Sequence, residues 1–72
     1  MDIQEHMEVV GSDGEHVGTV DKVEGDRIKL TKRDPDAMGE HHYLPLSAVT
    51  GVTDVVTLTM TAADAKNQWH GE

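Results

Sequence analysis

Val, Ile and Leu recur along this chain in short alternating segments cut by Asp-Gly and Gly-Asp pairs, a pattern that predicts a compact antiparallel β-meander. In residues 7–10, Met7 and Val9 alternate with Glu8, as a half-buried strand requires. Ser12, Asp13 and Gly14 then reverse the chain, with Gly14 able to take a positive φ. Residues 16–23 form the second expected strand, but Val17, Val20 and Val23 recur at every third position. Strict alternation would put Val20 on the face opposite to the other two. A β-bulge at Gly18 is expected to absorb the extra residue and bend the strand, as the closure of a small barrel demands. A helix also fits a spacing of three, but Gly18, Thr19 and three valines are poor helix formers.

Glu24, Gly25 and Asp26 make the second tight turn, and residues 27–31 alternate cleanly, with Ile28 and Leu30 inward and Arg27, Lys29 and Thr31 outward. From 32 to 40 the pattern dissolves into charge, Pro and Gly, the signature of an exposed loop, and loops of this kind are where partners bind. A strand resumes over 41–46 and ends near Pro45, and residues 47–52 are expected to hold a short 3₁₀ turn before a brief strand. Residues 55–60 form the last strand, with Val56, Leu58 and Met60 on one face. Thr61 reads as an N-cap with Asp64 three residues on, and residues 62–69 have good helix propensity. Ala62, Ala65 and Trp69 fall on one stripe that lays Trp69 over an open end of the barrel. At the other terminus, Asp2 and Glu5 resemble a capping box for one helical turn over 3–6.

At 72 residues the chain is one domain, 1–72, and folding buries only about 60% of the surface the unfolded chain exposes. Aromatic residues are 3% of it, Tyr43 and Trp69, so the core is built from aliphatic side chains. Such a core supplies about 3–5 kcal/mol, which makes self-association a natural source of further stability. There is no cysteine, hence no disulfide and no thiolate chemistry, as suits a cytoplasmic protein. Fourteen acidic residues against six basic ones give a net charge of −8, with no basic face expected to outweigh the acids. Nucleic acid and anionic membrane are thereby disfavoured as partners. No basic and apolar leader opens the sequence, and no apolar run is long enough to span a bilayer.

The run from Met7 to Leu30, with its Val-Gly-Ser-Asp-Gly-Glu-His-Val-Gly-Thr-Val core, and the stretch His42-Tyr43-Leu44-Pro45-Leu46 resemble the PRC-barrel superfamily. Nearly the whole chain, through the tail over 61–69, is similar to the small bacterial proteins grouped as domain of unknown function 2171. The resemblance implies a mainly β fold, a small single-domain antiparallel β-barrel of five or six strands with a short C-terminal helix. It also implies docking onto other macromolecules in place of catalysis. Gly14, Val17, Gly18, Val20 and Ile28 would be determinants of that fold, and no catalytic residue or cofactor is carried over.

His41 and His42 are the one histidine cluster. Adjacent strand residues point to opposite faces, so this pair would need a third ligand such as His16, Glu40 or Asp36 to hold a metal. Asp34, Asp36 and Glu40 lack the spacing and the Gly of a calcium loop. No Ser sits in a nucleophile elbow. The expectation is therefore a non-catalytic, cytoplasmic module without a cofactor that binds another protein or itself. Arg33, Asp34, Asp36, Met38 and Tyr43 in and beside the loop, and Trp69 in the tail, are the candidate partner-binding residues. Two other readings stand beside it: a small-ligand, metal or pH sensor built on His41, His42 and His16, and a stress-protective structural protein.

Overall fold

The computed structural model describes residues 3–33, 39 and 41–71. Its elements in chain order are β1 (Glu8–Val10), β2 (His16–Glu24), β3 (Arg27–Leu30), β4 (His42–Pro45), a 3₁₀ turn (Leu46–Ala48), β5 (Val49–Val52), β6 (Val55–Leu58), α1 (Ala62–Gln68) and β7 (His70–Gly71). The fold is mainly β with a short C-terminal helix: six strands and the two-residue β7 hydrogen-bond in the order β5-β6-β1-β2-β3-β4-β7.

Two expectations are corrected by that order. The sheet is not closed into a barrel, because among the described residues β5 and β7 stand at its two ends with no pairing between them. Nor is it wholly antiparallel, since β1 and β6 run parallel, with Val9 beside Val56. A meander of hairpins cannot supply that pairing; β6 reaches β1 only after the chain has crossed through β4 and β5.

Bending is concentrated in β2, the longest strand. Val9 lies opposite Gly18 and Val10 opposite His16, which makes Val17 an extra residue on that side. Across the other edge Val20 faces Leu30 and Lys22 faces Lys29, so Asp21 is a second extra residue. Two irregularities thus stand where one was expected at Gly18, and each shifts the alternation. Val17 and Val20 are consequently both buried despite their odd spacing, whereas Val23 is 40% exposed. Gly18 is itself buried, and a Cβ there would stand 3.0 Å from a Leu30 methyl.

The core consists of Val9, Val17, Val20, Ile28, Leu30, Leu44, Ala48, Val56 and Leu58, closed by Ala62 and Ala65 of the helix. Thr61 caps α1 as its sequence predicts, its hydroxyl accepting from the Asp64 amide at 3.2 Å. The helix start is seated on the turn after β1: Ser12 N–H donates to Met60 O at 2.8 Å, and Asp13 Oδ1 accepts from Ala62 N–H at 3.4 Å. Gly11 is required there, because a Cβ would overlap the backbone of Thr61 and Ala62. The same junction ends β6 at Leu58, short of the expected 60; Met60 leaves the strand but still packs against the core.

The N-terminal segment is a turn, not the expected helical one. His6 takes φ 72, left-handed for a residue with a side chain, while its N–H donates to Val20 O at 2.8 Å.

Candidate functional site

The outward residues of β3 are Arg27 and Lys29, opposite in sense to the buried Ile28 and Leu30. Register carries that face sideways: Lys22 of β2 lies opposite Lys29, and Tyr43 of β4 lies opposite Lys29 on the other side. The chain then continues past β3 to Thr31, Lys32 and Arg33. Five of the six basic residues of a chain with net charge −8 therefore lie between positions 22 and 33, on one hairpin and its exit. The clustering along the chain is visible in the sequence, and the register adds that Lys22, Arg27 and Lys29 share the outer face.

Two like charges opposite each other, Lys22 and Lys29, repel. Glu24 offsets this: its carboxylate is 3.2 Å from Lys22 Nζ and 3.8 Å from the Arg27 guanidinium. The hydrogen bond from Lys22, followed by the charges of Lys22, Lys29 and Arg27, outweighs desolvation and holds the Glu24 carboxyl below its ordinary value. Arg27 also lies over the Tyr43 ring, 4.2 Å from its centroid, a cation–π contact that fixes both side chains on the outer face. Asp26, Arg27, Tyr43, Leu44 and Pro45 line a cleft of about 260 Å³ at this end.

A larger cleft, about 570 Å³, opens at the far end of the same strands, between His6, Thr19, Val20, Asp21, Thr31, Lys32, Arg33 and His41. Its elements meet because the two edges of β2 each take a neighbour: His6 and Met7 hydrogen-bond to Val20, and Thr31 N–H donates to Thr19 O at 2.8 Å. His41 Nδ1 lies 3.0 Å from Leu30 O and 4.0 Å from an Asp21 carboxylate oxygen. A carbonyl only accepts, so Nδ1 carries the proton and donates.

The three histidines weighed as a metal set are not brought together. His41 lines the larger cleft; His42, one residue on, is buried in the opposite direction; His16 lies 2.9 Å from Glu8 Oε2 beside β1. Among the described residues no three His, Asp or Glu side chains stand close enough to hold a metal ion. Trp69 stacks on His42, ring centroids 3.9 Å apart and planes 7° from parallel, and packs half-buried against the core. The side chain expected over the end of a barrel thus packs on an open sheet. Of the partner-binding candidates, Arg33 lines the larger cleft and Tyr43 the smaller, whereas Asp34, Asp36 and Met38, like Glu40, lie outside the described residues. Asp21, Lys22, Arg27, Lys29 and Lys32 were not among the expected site residues. For His6 no local signal exists, because only the pairing of residues 6 and 7 with Val20 brings it to β2.

Among the described residues no helix is long and apolar enough to cross a membrane. No curated protein and no solved structure matches the chain. A family model does, over residues 3–66, and its description is "uncharacterized protein conserved in bacteria". Since that match covers most of the 72 residues, the chain belongs to the DUF2171 family.

Proposed function

We propose that this protein is a non-catalytic interaction module of the bacterial cytoplasm that docks an acidic segment of a protein partner. The docking surface is the outer face of β2, β3 and β4. The observation that carries the reading is the alignment of Lys22, Lys29 and Arg27 beside Tyr43 on one side of a sheet belonging to an otherwise acidic chain. A short acidic segment feels this local field, because charges more than about 8 Å away are largely screened at physiological salt. A long polyanion such as nucleic acid would also meet the acids of the remaining surface, so a protein segment is the better match. Arg27 and Tyr43 are the residue types that concentrate binding energy at interfaces. A PRC-barrel relationship, whose members dock onto other macromolecules, agrees as well.

The test is fluorescence anisotropy with a labelled Glu/Asp-rich peptide and, separately, with a single-stranded oligonucleotide of equal charge. Saturable, salt-sensitive binding of the peptide, abolished in Lys22→Glu/Lys29→Glu with an unchanged melting temperature, is the expected result. Preference for the oligonucleotide, or equal binding by the variant, refutes the reading. Concentration-dependent light scattering that vanishes in the same variant would identify the acidic partner as a second copy of this chain.

A further inference from the structure

We infer that the 570 Å³ cleft between the N-terminal turn, β2 and the exit of β3 is a binding site for a small ligand bearing a phosphoryl group. The site is separate from the outer face assigned to the protein partner, and neither reading requires the other.

The donor set carries the assignment. Lys32 and Arg33 place two fixed positive charges at the rim, and Arg33 brings the planar fork that matches two phosphoryl oxygens at once. The Thr31 hydroxyl accepts from Arg33 N–H at 3.2 Å, which leaves its own hydrogen to donate. His41 is oriented by its Nδ1 bond to Leu30 O, 3.0 Å long. With Nδ1 donating to Leu30 O, the Nε2 of that ring accepts a hydrogen bond from the hydroxyl of a singly protonated phosphoryl group. Asp21, within 4.0 Å of His41, offsets one positive charge and supplies an acceptor for a hydroxyl beside the phosphoryl group. The volume lies in the range that holds a small organic molecule, about 300–1,000 Å³, well beyond a single phosphate ion.

His6 is the second, independent observation. Its left-handed backbone, φ 72, is costly for a residue with a Cβ, and it is maintained by the hydrogen bond to Val20 O. Strain of this kind concentrates at ligand sites, where the surrounding structure holds a side chain in a useful position. Here it brings a second histidine to the cleft that Lys32 and Arg33 also line.

The experiment is NMR titration of the ¹⁵N-labelled full chain with inorganic phosphate and, separately, with ribose 5-phosphate. Saturable shifts of the His6, Asp21, Thr31, Lys32 and Arg33 amides are expected. Arg33→Gln should weaken binding about tenfold, the effect of one charge-assisted contact, whereas Lys66→Gln, the same charge change on α1, should leave it within about twofold. His6→Gly keeps the fold, because glycine adopts φ 72 without steric cost, yet should bind less tightly. Tighter binding of the sugar phosphate assigns a phosphorylated small molecule, and equal affinity assigns free phosphate. Shifts that do not saturate, or that weaken equally in Arg33→Gln and Lys66→Gln, overturn the site. Loss of acidic-peptide binding in Lys22→Glu/Lys29→Glu with phosphate binding intact would show that the two surfaces act separately.

Discussion

The junction where the turn after β1 meets α1 and the outer face of β2, β3 and β4 are built on opposite principles. At the junction, backbone approaches backbone: Gly11 has no room for a Cβ, Asp13 and Thr61 satisfy helix amides, and Val56, Leu58 and Ala62 close the core behind it. On the outer face, like charges are held side by side, Lys22 opposite Lys29, with Glu24 paired to Lys22 and Arg27. The first arrangement gives stability and offers little for recognition. The second gives little stability, since exposed ion pairs contribute about 0–1 kcal/mol, and presents charge to a partner. In a core with so few aromatic side chains, the two demands are met in different places.

The contrast breaks most sharply at Leu58. This side chain is fully buried, and Leu58→Ala should cost about 3 kcal/mol in urea unfolding, whereas Lys29→Ala should stay within about 0.5 kcal/mol. Comparable losses at both positions would show that the outer face is structural after all. Gly11→Ala is next, with an expected loss of about 2 kcal/mol, because the new methyl must push the helix start away from the turn. A neutral result in thermal unfolding would mean that α1 is not seated as described.

The smallest effect sharpens the electrostatic side. The Glu24 carboxyl is held below its ordinary value of 4.5, so it binds its proton less readily in the folded state than in the unfolded chain. Its contribution to stability is therefore fully present above pH 4.5 and is lost as pH falls through the lowered folded value. Thermal unfolding of wild type and Glu24→Gln should differ by a small margin near neutral pH and converge in acid. A gap that widens in acid would give the coupling the wrong sign.

Much of the architecture is legible locally. The alternation of Ile28 and Leu30 with Arg27 and Lys29, the turns at Gly14 and Gly25, the 3₁₀ turn after Pro45 and the Thr61 cap all reappear as read, because each depends on contacts within a few residues. The candidate site is legible only in part. Arg33 and Tyr43 belong to charged or aromatic positions that draw attention on their own, whereas His6 and Asp21 matter through neighbours distant in sequence. The separation of His41 from His42 follows from strand geometry alone, and the structure agrees: one lines a cleft, the other lies beneath Trp69.

By itself the sequence determined where strands, turns and the helix form and which side of β3 is apolar, since period-two alternation, glycine conformation and capping are local physics. Only the tertiary structure decided that β6 pairs with β1 in parallel, that β2 carries two irregularities in place of one, and that the sheet stays open. It likewise set Lys22, Arg27 and Lys29 on one face, turned Lys32 and Arg33 to a separate cleft, and made His6 and His41 line that cleft together. The β1–β6 pairing joins segments tens of residues apart, and the irregularities of β2 depend on register between strands, neither of which a local pattern of apolar and polar residues encodes.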